Sequence, residues 1–392
     1  MTVLARLYFS CLCLLFALIL LLDLFTPAAY ADGGAPQLAY VAGTSQGISI
    51  IDIAQRRVTG TVALVGRPRS VLLSPDGQAL YVTRPDAGQV AVVTAKTGRL
   101  RCTADLPGQP SLLALSLDAT VLYAAGQGDT RVRALDPATC AVRLTFETQQ
   151  PVYGMAVAAS TALNATPSTP NQLWIAGTTA LTVFDATGSL LGIVPVAGGP
   201  QNISIPSGFT AYVTTRQHTL VAIDLNTHTL LRTLLSGGDF GSMDFDETTG
   251  EIYVPDRQHD QLDVLTPVTI NTTVMPQEPT RVLHLNGSPQ AVAITNDGQL
   301  GFVALASGQV TMLDIPARSI VATIAVGGTP RFIITGLYPP TSNNSTPAQT
   351  SVSPSSKNVS TLALLLLALT ASLLLGGLWF LWRWRSVVRK RL

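Results

Sequence analysis

The sequence predicts an all-β fold, a seven-bladed β-propeller, with an N-terminal signal peptide before it and one C-terminal transmembrane helix after it. A phrase of roughly 40 residues recurs, in which an aromatic residue is followed about 12 residues later by an apolar-alternating strand. The aromatic openings of the seven copies are Tyr40, Tyr81, Tyr123, Trp174, Tyr212, Tyr253 and Phe302. Self-similarity at this period, built from short strands, is typical of a propeller.

The clearest copy shows how one repeat is built. Ser74-Pro75-Asp76-Gly77 predicts a turn, because Pro presets φ, Asp bonds the local backbone and Gly accepts a positive φ. Residues 80–83 and 89–93 follow it and are rich in β-branched residues, which predicts two strands. Residues 58–62 predict the outer strand that comes next in the preceding copy.

Two further signals mark the ends of strands. The strand after each opening ends in Asp in most copies, and we interpret these carboxylates as acceptors for turn amides. They are Asp52, Asp136, Asp185, Asp224 and Asp314, with Thr94 and Thr266 in the two remaining copies. Gly-x-Pro corners at 66–68, 108–110, 287–289 and 328–330 then lead to the next blade. The apolar strands at 70–73 and 291–294 predict an innermost position with both faces covered.

The order of strands predicts how the ring closes. The chain enters at a second strand, residues 38–42, and the repeats end with a lone first strand, residues 331–335. We expect this last strand to complete the first blade, so that residues 38–336 form seven four-stranded blades. Closure protects the strand edges that an open array would expose.

These motifs carry a family resemblance. Tyr81-Val82-Thr83, a strand ending in Ile51-Asp52, the Gly-x-Pro corners and the Ser-Pro-Asp-Gly turn make residues 38–336 similar to the YVTN-type seven-bladed propeller family. The resemblance implies the fold. It implies no single function, because such propellers include surface-layer proteins, nucleic-acid or partner binders, lactonase-like enzymes and redox-cofactor enzymes.

Both ends of the chain predict contact with a membrane. Residues 1–31 are typical of a signal peptide, with Arg6, an apolar run at 7–22 and a small-x-small site at 29–31, although an uncleaved anchor stays open. Residues 359–382 carry no charge and are long enough to span a bilayer. The basic tail at 383–392 predicts a cytoplasmic C-terminus, with the propeller outside the cell membrane. Residues 337–358, rich in Pro, Ser, Thr and Asn, predict an extended stalk.

Charge limits the classes of partner. Residues 32–336 carry 17 Lys and Arg against 22 Asp and Glu, a net charge of about −5, which argues against nucleic acid. We expect an extracellular protein, a glycan or a small anionic ligand. We expect no cofactor: there is no Cys-x-x-Cys-His for c-type haem, and no nucleophile elbow, zinc helix or phosphate loop.

Two cysteines, Cys102 and Cys140, remain after the predicted signal peptide. An external location permits a disulfide between them. They stand 21 and 17 residues after their blade openings, so they are not equivalent in the repeat. We therefore expect two buried thiols, with a bridge as the alternative.

The candidate binding residues belong to loops that should share one face. Arg216-Gln217-His218 and Arg257-Gln258-His259 follow two openings and predict the same loop of neighbouring blades; they form either a metal or anion site, with Asp256 and Asp260 nearby, or a duplicated surface loop. Residues beside the corners should surround the channel mouth. The residues expected around the mouth are Arg67, Arg69, Tyr153, Gln201, Asn202, Phe240, Gln290 and Arg331. The residues that we predict to bind a ligand are Arg69, Tyr153, Gln201, Arg216, His218, Phe240, Arg257, His259, Gln290 and Arg331.

The function that we predict is a non-enzymatic, membrane-tethered binding module that uses these loops. The alternative is a propeller enzyme of lactonase-like or redox-cofactor type, with its site at the channel mouth.

Overall fold

The computed structural model describes residues 37–158, 171–206, 208–268 and 278–336. Apart from one short 3-10 helix at Pro85–Ala87, their regular structure is entirely β. Blade 1 contains β1 (Leu38–Thr44), β2 (Gly47–Asp52), β3 (Arg57–Val62) and the last strand, β28 (Phe332–Gly336). Blades 2 to 4 contain β4 (Val71–Leu73), β5 (Ala79–Arg84), β6 (Gln89–Thr94), β7 (Leu100–Asp105), β8 (Pro110–Leu115), β9 (Leu122–Gly126), β10 (Arg131–Leu135), β11 (Val142–Glu147), β12 (Gly154–Ala158), β13 (Gln172–Ala176), β14 (Ala180–Phe184) and β15 (Leu190–Pro195). Blades 5 to 7 contain β16 (Pro200–Ser204), β17 (Thr210–Thr215), β18 (Thr219–Asp224), β19 (Thr229–Ser236), β20 (Asp244–Phe245), β21 (Ile252–Asp256), β22 (Gln261–Leu265), β23 (Arg281–His284), β24 (Pro289–Ile294), β25 (Leu300–Leu305), β26 (Gln309–Asp314) and β27 (Ser319–Ala325).

These strands form seven four-stranded antiparallel sheets, which confirms the predicted seven-bladed propeller. The signal peptide, stalk, transmembrane helix and basic tail that the sequence predicts lie outside the described residues. Within the described ranges, no helix is long and apolar enough to cross a membrane.

The ring closes as the sequence predicts, with a shift of one residue. β28 pairs antiparallel with β1, from Ala42 opposite Phe332 to Leu38 opposite Gly336. It also contacts β4 of blade 2 and β24 of blade 7. The final strand therefore supplies the innermost position of blade 1 and leaves no open edge at the seam.

The seven repeat aromatics explain why the repeat has this period. Each lies on the second strand of its blade and is 5% exposed or less. Each also belongs to a different apolar cluster between adjacent blades. Tyr40 packs between blades 1 and 2, and Phe302 packs between blades 7 and 1. One large buried ring at each blade interface therefore holds the disc together.

The burial of the innermost strands varies from blade to blade. In β12 and β16 the three central residues are only half-buried, whereas β9 on a second strand is buried throughout. Innermost strands border the central channel, so one of their faces can have less protein packed against it. The expectation that both faces are covered is confirmed for residues 291–294, which are all buried, and holds only in part for residues 70–73, where Leu72 and Leu73 are half-buried.

The recurring aspartates serve the fold, as the sequence predicts. Asp224 Oδ1 accepts the N–H groups of Asn226 and Thr227, both at 2.8 Å. Asp185 Oδ1 likewise accepts the N–H groups of Thr187 and Ser189, both at 2.9 Å. These carboxylates satisfy the amides of the turn that leads to the outer strand.

The two cysteines form a disulfide, so the expectation of two free thiols is wrong. Cys102 lies on β7 of blade 2, and Cys140 lies in the turn before β11 of blade 3, with their Cα atoms 5.9 Å apart. Adjacent blades pack face to face, so a strand residue of one blade can meet a turn residue of the next. Equivalence within the repeat is therefore not required for pairing.

Candidate functional site

The candidate residues gather on one face of the disc, which we call the upper face. In an antiparallel blade, the loop between the second and third strands lies at the same end as the corner that leads to the next blade. The corner or adjoining inner strand carries Arg69, Tyr153, Gln201, Phe240, Gln290 and Arg331, and the other loop carries Arg216, His218, Arg257 and His259. The loops therefore share one face, as predicted. Their side chains differ in exposure and in the groups that they contact.

Two arginines without an acidic partner stand at the mouth of the channel. Arg69 precedes β4, Arg331 precedes β28, and both are exposed. The Nη2 atom of Arg69 donates to the Gln127 Oε1 atom at 2.7 Å, and among the described residues neither guanidinium forms an ion pair with a carboxylate. Loss of hydration, and then the charge of Arg331, lower the pKa of Arg69. Two like charges thus face solvent close together.

Arg67, on the same corner as Arg69, has a different environment. Its guanidinium forms an ion pair with Asp86, and its side chain is 87% exposed. Its charge is therefore matched locally, which makes it a useful comparison for Arg69.

Arg216 reaches from blade 5 across to blade 4. Its guanidinium carbon lies 4.3 Å from the centroid of the Tyr153 ring, and its Nη2 atom donates to the Thr178 carbonyl oxygen at 2.6 Å. This path depends on Gly199, whose φ is +75°, because a Cβ there would come within 2.5 Å of Nη2 of Arg216. The guanidinium is held by a cation–π contact and a carbonyl oxygen.

An open cleft of about 560 Å³ adjoins Arg216. This volume lies within the usual range of small-molecule sites. Its lining consists of Thr178, Thr179, Pro195, Val196, Ala197, Gly198, Gly199, Arg216 and Gln217. Of these, the predicted binding residues include only Arg216, and Gln217 belongs to the same predicted loop. The signal was present, because Gly198-Gly199-Pro200 is itself a Gly-x-Pro corner.

The two Arg-Gln-His loops occupy the same position in neighbouring blades, and their arginines are equivalent. Arg216 N–H donates to the Gly199 carbonyl oxygen at 2.9 Å, and Arg257 N–H donates to the Asp239 carbonyl oxygen at 2.8 Å. Each arginine backbone is thus anchored to the corner that precedes its own blade.

The histidines of these loops are not equivalent. His218 has a φ of 62°, and its carbonyl oxygen accepts the N–H of Gly237 at 2.8 Å. In the next blade Asp260, with a φ of 50°, takes this position, and its carbonyl oxygen accepts the N–H of Leu285 at 2.9 Å. The second loop is one residue longer, so His259 lies before the position that His218 occupies.

Most polar groups of these two loops bind their own surroundings. The Nε and Nη2 atoms of Arg257 donate to the two carboxylate oxygens of Asp239 at 2.9 and 2.7 Å. His218 Nδ1 donates to the Gly238 carbonyl oxygen at 3.1 Å. His259 Nδ1 lies 2.6 Å from Asp256 Oδ2, and this hydrogen bond, followed by the Asp256 charge, raises the pKa of His259. Among the described residues no group of three or more His, Cys, Asp or Glu could hold a metal ion.

The remaining candidates have different environments. Phe240 is 3% exposed and packs in the core between blades 5 and 6, so its ring cannot contact a ligand at the channel mouth. Gln201 and Gln290 lie on the innermost strands β16 and β24 and are half-buried. The Gln290 backbone oxygen accepts the N–H of Ser242 at 3.1 Å, which links blades 6 and 7.

Comparison with known proteins gives one family match and short curated matches. Residues 29–233, just over half of the chain, match the family model described as outer membrane protein assembly factor BamB. The uncharacterized protein YncE of Salmonella typhimurium and that of Salmonella typhi are each 40% identical over 73 residues, or 18% of this chain. The chain spans only 21% of the length of these relatives.

Solved structures with similar folds have diverse functions. Hydrazine synthase of Kuenenia stuttgartiensis has a TM-score of 0.54 at 15% identity, covering 75% of this chain and 98% of that chain. The propeller domain of Myceliophteria thermophila Cps50 (Swd1) has a TM-score of 0.56 at 16% identity, covering 68% and 87%. The dihydro-heme d1 dehydrogenase NirN has a TM-score of 0.54 at 15% identity, covering 79% and 77%. At this identity the likeness concerns the fold alone.

Proposed function

The chain belongs to the propeller family described as outer membrane protein assembly factor BamB, and from this premise we propose that it is a non-enzymatic binding module that takes an anionic ligand at the channel mouth. The observation that carries the proposal is the pair Arg69 and Arg331, exposed together with no acidic partner among the described residues. Planar guanidinium groups bind carboxylates and sulfates through paired hydrogen bonds. A bound anion would neutralise Arg69 and Arg331, as Asp86 already neutralises Arg67.

The rest of the propeller is acidic, and we expect this charge to favour compact anions over long polyanions at the channel mouth. Residues 32–336 have a net charge of about −5, so a long polyanion would meet repulsion away from the mouth. A compact anion, an acidic glycan terminus or a carboxylate on a partner protein needs only the local positive charge. Nucleic acid is disfavoured for the same reason.

We assign the repeat to the YVTN type, and we place the propeller outside the cell on a stalk and a single C-terminal span. The repeat assignment is supported by Tyr81-Val82-Thr83 and the corner motifs. The location is supported by the basic residues 383–392 and by the disulfide between Cys102 and Cys140, since disulfides persist in oxidising compartments. External protease on intact cells should release the propeller and spare a C-terminal epitope; a cleaved epitope with a sheltered propeller would reverse the topology.

Calorimetry on the full chain in detergent tests the anion site, with citrate and a sulfated disaccharide as probes. Changing Arg69→Gln together with Arg331→Gln should lower affinity for the bound probe at least tenfold. The matched control Arg67→Gln removes a charge from the same corner and should leave binding within twofold. Equal binding by the double variant and the unmodified protein would refute the site.

The cleft beside Arg216 favours a second candidate, a propeller enzyme that accepts a small molecule there. Its volume of about 560 Å³ suits such a substrate. Metal and cofactor analysis of protein purified from its native membrane distinguishes the two. A metal or chromophore bound in stoichiometric amount by the original protein, and absent from the Arg216→Ala variant, would favour the enzyme and count against the binding module.

A further inference from the structure

Backbone hydrogen bonds join the innermost strands of blades 6 and 7 side by side, through a parallel bridge between Ser242 and Ala291. Ser242 N–H donates to the Gln290 carbonyl oxygen at 3.1 Å, and Val292 N–H donates to the Ser242 carbonyl oxygen at 3.2 Å. At the next step the N–H of Ile294 donates to Asp244 Oδ2 at 2.7 Å, so that a side-chain carboxylate continues the ladder. This hydrogen bond fixes the carboxyl group at the wall of the channel.

A cavity of about 290 Å³ opens beside Asp244. It is lined by the innermost strands of blades 1, 2, 6 and 7, toward the lower face, which is the side opposite the upper face. Leu72, Phe245 and Phe332 supply apolar walls, whereas Asn296 and Thr335 supply polar groups. The space therefore combines an apolar enclosure with one fixed carboxyl group.

The carboxyl group of Asp244 has no cationic partner among the described residues. Burial raises its pKa to about 7, the nearby charge of Glu247 adds to this effect, and hydrogen bonds from the Ile294 and Phe245 N–H groups oppose it. Asp244 and Glu247 are the only ionisable residues in the lining of the cavity, and both are acidic. A bound cation would supply the charge that the site lacks.

We propose that this cavity binds a small organic ammonium ion, with the Asp244 carboxylate as its counter-ion and the apolar walls around its alkyl group. A bare metal ion fits less well, because it needs several ligands and the described residues hold no group of three or more His, Cys, Asp or Glu that could provide them. The site differs from the upper-face anion site in position and in charge preference. Either site can fail in experiment without affecting the other.

Calorimetry on the full chain in detergent, with n-butylamine as the probe, tests the proposal. The amine stays protonated between pH 5 and 8, so its affinity should rise about tenfold per pH unit at acid pH and level off above pH about 7. Butanol, a neutral molecule of similar shape, should bind at least tenfold more weakly at pH 8. Equal binding of the alcohol, or a flat pH profile for the amine, would overturn the proposal.

Three variants separate charge from shape. Asp244→Asn keeps an oxygen acceptor for the Ile294 N–H, so it should keep its melting temperature, lose at least tenfold in affinity and lose the pH dependence. Leu72→Trp should abolish binding by filling the cavity, which gives a second readout if the first variant unfolds. Glu247→Gln should shift the midpoint of the pH profile to lower pH, because the Glu247 charge raises the pKa of Asp244. The Arg67→Gln control should bind the amine normally, and undiminished binding by both Asp244→Asn and Leu72→Trp would refute the site.

Discussion

The disulfide between Cys102 and Cys140 ties the outer strand of blade 2 to the turn before the outer strand of blade 3, across a sequence separation of 38 residues. A cross-link of this span restricts the unfolded chain, an effect of about 3 to 4 kcal/mol in the chain-entropy model. Replacing both cysteines with Ser should therefore lower the free energy of unfolding by roughly 3 kcal/mol. Urea unfolding measures the change. Dithiothreitol should destabilise the original protein but not the variant, and equal sensitivity of the two to the reductant would contradict the prediction.

The repeat could be predicted because one physical requirement recurs in every blade. Each blade interface needs a large buried ring, and the sequence places Tyr40, Tyr81 and their counterparts at a matching spacing. Ring closure could be predicted from the lone strand at 331–335. The blade that begins at residue 38 lacks an innermost strand, and pairing with this last strand covers both exposed edges. The role of the aspartates at the strand ends could also be predicted, because an Asp side chain there can accept the N–H groups of the turn that follows.

The site could be predicted only in part, because it depends on loop geometry that the repeat does not specify. One extra residue in the second Arg-Gln-His loop moves His259 away from the position of His218 and puts Asp260 there. Phe240 stands beside a corner in the sequence but packs inward. The disulfide also depends on how two blades face each other, which spacing along the chain does not show.

Two of the repeat tyrosines differ in the environment of their hydroxyl groups. Tyr212 Oη accepts the N–H of Val268 at 2.8 Å, whereas the buried Tyr40 hydroxyl has no partner among the described residues. Tyr212→Phe should cost about 1 to 3 kcal/mol, because it leaves a buried amide unsatisfied. Tyr40→Phe should be neutral or stabilising. Thermal unfolding of the two variants side by side gives the comparison, and a larger loss for Tyr40→Phe would contradict it.

The seam of the ring can be weakened at a single residue. Ile333 on β28 is 2% exposed and packs in the cluster between blades 7 and 1. Ile333→Ala should lower the free energy of unfolding by about 2 to 4 kcal/mol through lost burial and a residual cavity. Ile320, on the outer strand of blade 7 and 44% exposed, provides the matched control. Ile320→Ala should change stability by no more than about 0.5 kcal/mol; similar losses at both positions would argue against a seam held by β28.

Stability should depend on pH through Asp263. Burial, and then the charge of Asp256, raise its pKa from 3.8 to about 6. The folded state therefore binds this proton more tightly than the unfolded state, so the contribution of Asp263 to stability increases as the pH falls from about 6 towards 4. Asp263→Asn keeps an acceptor for the Gln261 side chain, which now donates to Oδ1 at 2.8 Å. The variant should gain stability relative to the original protein at pH 8 and lose this advantage near pH 4. A difference that does not change with pH, measured by urea unfolding, would exclude Asp263 as the cause.

The last prediction concerns Gly199, which creates the space through which Arg216 reaches Tyr153. Gly199→Ala would bring a Cβ within 2.7 Å of the Thr178 carbonyl oxygen as well as against the guanidinium, at a φ of +75°. We expect Arg216 to leave the ring, so that Arg216→Ala costs about 0.5 to 1 kcal/mol in the original protein and almost nothing in the Gly199→Ala background. Gly128 is the matched control, because its φ is +87° and no atom lies within 4 Å of its would-be Cβ. Gly128→Ala adds backbone strain alone, so the cost of Arg216→Ala should persist in that background. If Arg216→Ala were equally costly in the Gly199→Ala background, the contact between Arg216 and Tyr153 would not require a glycine at position 199.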